Sequence, residues 1–125
     1  MEKRMENKDS RTSFIAIPSF SPPPSHRLFR RYRVGCVVRQ IRDLIDWSRM
    51  EYQASLRYFS KRGDIRTFTY LSREFSHIRV LSMCSVFYEV CDYILQNEDV
   101  WNSLDVRTRR VLSSAYDFAL KSGFI

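Results

Sequence analysis

The chain has 125 residues and a mass of 15.0 kDa, room for one domain with an adequate core. Hydrophobic residues make up 44% and aromatics 14%, which excludes a wholly disordered chain. Only three glycines occur (Gly35, Gly63, Gly123), too few for phosphate-cradling loops or many tight hairpins, so long helices are expected.

The net charge of +7 is placed unevenly. Residues 1–66 carry 15 Lys/Arg against 7 Asp/Glu, whereas residues 67–125 carry 6 against 7. A positive field confined to the first half points to a polyanion as partner. Seventeen of the 21 basic residues are Arg, which binds phosphate bidentately and stacks on bases. An overlapping reading frame, common in viral genomes, yields Arg and Ser excess as well.

Residues 1–26 read as a disordered Ser/Pro-rich tail and residues 27–125 as the domain. Pro22, Pro23 and Pro24 favour an extended polyproline segment over helix. Phe14, Ile15, Ile17 and Phe20 are candidates for a short linear motif. Pro18 ends this apolar patch well short of a signal-peptide core.

Arg27 to Arg33 holds four arginines with Phe29 and Tyr32 among them. Such a cluster reads as an RNA or DNA contact, a nuclear import signal, or a solvated basic helix start. From Val34 to Ser60 apolar residues recur every three or four positions, predicting one long helix. Arg39, Arg42, Arg49 and Arg57 share the arc beside that apolar stripe, with Asp46 among them. Trp47 lies off the stripe, at the helix edge or in an interface. Lys61, Arg62 and Gly63 form a plausible helix end, and Asp64 can cap the next helix.

The apolar pattern then runs from Phe68 to Leu95, with a break expected near Ser76-His77. Val80–Leu95 is predicted to be the central, most buried helix. Gln96 to Asp99 reads as a loop. Asn102 or Ser103 is expected to cap a last helix over about 104–121, with Trp101 as a staple residue before it. The fold class is thus all-α, a small bundle of three to four helices behind a Pro-rich tail.

Arrangements that carry chemistry are missing from the sequence. There is no P-loop, GxSxG, HExxH or GxGxxG, and the carboxylates are scattered among arginines. His77, Cys84 and Cys91 follow at intervals of seven, about 10 Å apart on one continuous helix and too far to share a metal. The three cysteines (Cys36, Cys84, Cys91) contain no CxxC pair and suggest a reducing compartment, cytoplasmic or nuclear. No enzyme activity, small-molecule substrate, cofactor or metal is expected, and no apolar run is long enough to span a membrane.

One window carries a resemblance. Ile41-Arg42-Asp43-Leu44-Ile45, followed by Arg49, Tyr52, Ala54 and Arg57-Tyr58, resembles the helical segment of the geminivirus precoat proteins. It covers about twenty residues and aligns with a small gap. The later Cys/His cluster of many family members is absent, and the Pro-rich tail is extra. The resemblance implies a small viral accessory protein that suppresses host RNA silencing and aids movement.

The leading expectation is therefore a viral-type accessory protein that binds RNA or an acidic host protein. Its candidate contact residues are Arg30, Arg31, Arg33, Arg39, Arg42, Arg49 and Arg57. The alternatives are a helical protein–protein module anchored by Trp47, Tyr58 or Trp101, and peripheral attachment to anionic membranes.

Overall fold

The computed structural model describes residues 17–23, 30–74 and 76–125, without the side chains of Arg30, Arg73 and Glu74. Expectations for residues 1–16, 24–29 and Phe75 lie outside the described residues. Among those described there are six helices and no strand: α1 (Arg30–Lys61), α2 (Ile65–Glu74), α3 (His77–Ser82), α4 (Ser85–Gln96), α5 (Glu98–Ser103) and α6 (Val106–Lys121). The all-α expectation holds, with more helices than the three or four foreseen.

The periodicity read from Val34 onward places Val37, Val38, Ile41, Leu44, Ile45 and Ser48 on the buried face of α1. Ser48 and Ser82, both fully buried, satisfy their hydroxyls by donating to the carbonyls of Ile45 (2.7 Å) and Arg79 (2.9 Å). The end of α1 forms as its residues suggest. Gly63 sits at φ 73°, its N–H reaches Ser60 O, and the N–H of Asp64 reaches Phe59 O. The Asp64 carboxylate then accepts from Thr67 N at 3.1 Å, so one two-residue junction ends α1 and starts α2.

The expected central helix over 80–95 is not continuous. The chain breaks after Glu74 as anticipated, and again at Met83 and Cys84, where Cys84 is extended (φ −96°, ψ 128°). On an unbroken helix Leu81 and Phe87 would point about 120° apart. The bend lets both reach full burial in one core. Leu95 at its end is 75% exposed, but Leu81, Phe87 and Val90 are buried. This segment therefore shares the core with the inner face of α1, and the short α3 packs on α1, α4 and α6.

The stretch 96–99 is not a loop either. Only Asn97 leaves helical geometry, and Glu98 already begins α5, which carries the fully buried Val100. The cap of α6 is Asp105 rather than Asn102 or Ser103. Its carboxylate accepts from Thr108 N (3.2 Å) and Thr108 Oγ1 (2.6 Å). Trp101 belongs to α5 and is held by Arg109, which donates to the carbonyls of Trp101 (3.0 Å) and Asn102 (2.9 Å). Leu112, Ala115 and Ala119 form the buried face of α6.

Part of the Ser/Pro segment belongs to the packed body. Residues 17–23 lie across α1 and α4. Ser21 N donates to Gln40 Oε1 at 2.9 Å, and Phe20 meets Tyr93 edge to face at 5.5 Å. These contacts lie on the tail side of the expected boundary at residue 26, and Phe20 packs against the core.

Candidate nucleic-acid interface

Arginines on α1 reach solvent because the apolar face of the helix is committed to the core. At 100° per residue, Arg31, Arg39, Arg42, Arg49 and Arg57 fall within a sector of about 80° on the outer side. With a rise of about 1.5 Å per residue, the stripe from Arg31 to Arg57 is about 39 Å long. Arg31, Arg39 and Arg57 are exposed. Tyr32 is 67% exposed within the same end of the helix, where its phenol is pushed above its ordinary value by a hydrogen bond with Cys36.

Two of the arginines have carboxylate neighbours. Arg42 lies 3.9 Å from Asp105 Oδ1, and Arg49 lies 3.3 Å from Asp46 Oδ1. Both pairs are substantially exposed, so each is worth little and yields readily to a phosphate. The Asp105 carboxyl is held below its ordinary value by its hydrogen bonds with Thr108, with a smaller contribution from Arg42.

Arg42 and Arg49 face a groove of about 470 Å³ between α1 and α6, which Arg107 enters from the opposite side. Ile45 and Val111 form apolar parts of its lining, and Asp46 and Asp105 its acidic parts. Arg107 was not among the sequence-derived candidates. Nothing in the primary pattern links positions 42 and 107; only the return of α6 alongside α1 does. The field of Arg49 also reaches His77. Burial first, and Arg49 second, pull that imidazole below its ordinary value.

Arg33 does not belong to this surface. Its side chain is only 12% exposed and lies 3.5 Å from Asp99 Oδ2 of α5. The side chain of Arg30 is outside the described residues. Of the aromatic anchors, Trp47 is buried (8% exposed) as part of the core cluster, beside a cavity that Ile17, Val80 and Met83 also line. Trp101 is half-buried, and Tyr58 is exposed with Arg62 stacked on its ring at 5.4 Å.

Among the described residues no three His, Cys, Asp or Glu side chains are grouped closely enough to hold a metal ion. His77, Cys84 and Cys91 fall on α3, the bend and α4 rather than on one helix. All three cysteines carry free thiols, and burial, aided by the charge of Asp92, pushes the Cys91 thiol up to about 12. Among the described residues no helix is long and apolar enough to cross a membrane.

No protein-family profile, curated protein or solved structure matches the chain.

Proposed function

We propose that the protein binds RNA through the outer face of α1 and the adjoining α1–α6 groove, as a non-enzymatic accessory factor. The observation that carries this reading is the alignment of Arg31, Arg39, Arg42, Arg49 and Arg57 on one solvent-facing sector about 39 Å long. A straight row of guanidinium groups matches the regular phosphates of a duplex and needs no base-specific contact. The first turn of α1 adds to the case. It carries no acid and opens with Arg30 and Arg31, against the positive end of the helix dipole. An anionic ligand relieves that repulsion.

The resemblance of Ile41–Tyr58 to the precoat proteins supplies a context: RNA held on this face is withheld from a host silencing response. This part of the proposal rests on the resemblance alone.

Binding of labelled single- and double-stranded RNA across a salt series tests the reading. Five neutralised phosphates give a log–log salt slope of about −4 to −5. Replacing Arg39, Arg42 and Arg57 by Ala should cut that slope by about 3. Absence of binding at low salt, or an affinity indifferent to salt, sinks it.

A second reading, a helical protein–protein module with no nucleic-acid role, is favoured by the pairing of Arg42 and Arg49 with Asp105 and Asp46. On that reading the arginine face meets an acidic protein surface. A pull-down from host extract that fails with the same triple variant, while RNA is ignored, would support it.

A further inference from the structure

The side of the molecule formed by α4, α5 and α6 has a chemistry opposite to that of α1. Between α4 and α6 runs a groove of about 500 Å³. Its walls are Ile94 and Leu95 on one side and Leu112, Tyr116 and Leu120 on the other, with Trp101 contributed by α5. Leu95 is 75% exposed and Leu120 51%, so the large apolar side chains at its mouth face water. Such an unpaired apolar strip marks a binding surface.

The dimensions select a helix. Leu112, Tyr116 and Leu120 recur every four residues along one edge of α6, a length of about 12 Å, or roughly two helical turns. Two helices that present facing apolar edges leave a slot that a third helix fills with residues spaced i, i+4 and i+7 or i+8.

The charges select its flanks. Glu98 and Asp117 are the charged residues of the lining, and among the described residues no Lys or Arg lines it. Asp117 is paired with Lys121 at 3.0 Å, but both side chains are well exposed (61% and 76%), so the pair exchanges readily for another cation. Asp92, next to Cys91 on α4, adds a third carboxylate close by. Against these three carboxylates stand Lys121 and Arg109, whose guanidinium lies 5.8 Å from the Trp101 ring. The negative excess is therefore small and local in a chain of net charge +7. It disfavours nucleic acid here and disfavours an acidic helix.

We infer that the α4–α6 groove is the docking site for an amphipathic helix of a partner protein whose apolar stripe is flanked by Lys or Arg. The site is separate from the arginine face and does not depend on the RNA reading. Leucines of the partner enter between Leu95 and Leu120, and its flanking cations meet Glu98 and Asp117. The contact is small, so affinity comes from a few anchors and from the charge match.

The probe is a fluorescein-labelled helical peptide of about 16 residues, with leucines at i, i+4 and i+8, alanine elsewhere and Lys flanks. Its control carries Glu flanks in the same positions. The full chain should bind the Lys-flanked peptide at least about tenfold more tightly than the control, a preference its overall positive charge opposes. Leu95→Glu with Leu120→Glu should abolish binding of the Lys peptide. Both sites are exposed, so an unchanged circular dichroism melt verifies folding. Glu98→Lys with Asp117→Lys should reverse the preference toward the Glu-flanked peptide, which general hydrophobic stickiness cannot do. Equal binding of the two peptides, no binding, or binding that survives the Leu95→Glu/Leu120→Glu change overturns the inference. So does a dimer in sedimentation that Leu120→Glu dissociates, which makes a second copy the occupant. Binding that emerges only when Phe14 and Ile15 are replaced by Ser assigns the groove to the chain's own amino-terminal segment and overturns it equally.

Discussion

Arg33 on α1 and Asp99 on α5 meet across 66 positions of sequence, Nη2 to Oδ2 at 3.5 Å, with side chains 12% and 21% exposed. The pair ties the first turn of the long helix to the first turn of α5. An arginine that looks, within the Arg27–Arg33 cluster, like one more anion reader is thus an internal strut. Its Nε is buried with no hydrogen-bond partner, so the strut is not fully satisfied. Replacing Arg33 by Ala should lower unfolding free energy by about 2 kcal/mol, since Asp99 loses a charged contact while largely shielded from water. The salt slope of RNA binding should stay as it was. Arg31→Ala should do the reverse, with stability intact and the slope reduced by about one. Urea titrations beside binding isotherms decide between these outcomes.

Among the described residues Phe87 is the largest fully buried side chain, and it shares the core with Leu81 because the chain bends at Met83-Cys84. Phe87→Ala should cost about 3–5 kcal/mol, through lost transfer energy and the cavity left behind. For a domain of this size that is a large share of total stability. A loss under about 1 kcal/mol would show that the site collapses or that the bend is not fixed.

His77 gives the fold a pH dependence on the acid side of neutrality. Its imidazole is held below the ordinary 6.5 by burial and by Arg49, and its Nε2 is buried without a partner. Above about pH 6.5 the ring is neutral in both folded and unfolded chains and contributes no slope. As pH falls below that value, the unfolded chain takes up a proton that the folded chain resists. Stability therefore declines from about pH 6.5 toward the folded-state value and then levels. His77→Gln should flatten this part of the profile, measured by denaturant unfolding between pH 5 and pH 7.5 (about the window in which His titrates). A slope unchanged by the substitution would place its origin elsewhere.

Cys91 should be a poor nucleophile despite being free. With its thiol pushed up to about 12 from the usual 9.0, its thiolate fraction near neutrality falls by roughly two to three orders of magnitude. Iodoacetamide at mildly alkaline pH should label Cys91 at least about a hundredfold more slowly in the native protein than in urea. Peptide mass mapping would read this directly, and rapid native labelling of Cys91 would contradict the burial described.

The long first helix was legible because its code is local. Apolar spacing, a basic last turn, Gly63 and Asp64 all act within a few residues, and the structure uses each as its chemistry suggests. The bend at Met83-Cys84 was not legible: no Gly or Pro marks it, and its cause is the shared destination of Leu81 and Phe87. Gln96 to Asp99 misled because four polar residues read as a loop, whereas Val100 and Leu104 pull the chain back into helix and core. A local signal for the α6 cap did exist, since Asp105 stands three residues before a hydroxyl, Thr108, that can return the contact. The site divides in the same way. The solvent sector of α1 follows from helical period alone, but the inward turn of Arg33 and the approach of Arg107 depend on where α5 and α6 return. Trp47, off the stripe by spacing, is buried in the core cluster that also holds Leu81 and Cys84 from later elements.

The core that α1 contributes so early in the chain, from Val37 to Ser48, is completed by Leu112 and Ala115. Most of that face is covered by α2, α3 and α5, and α6 packs on α3. The apolar face of the first helix therefore finds cover as soon as the next helices follow it, and α6 closes the domain mainly against α3 rather than against α1 itself.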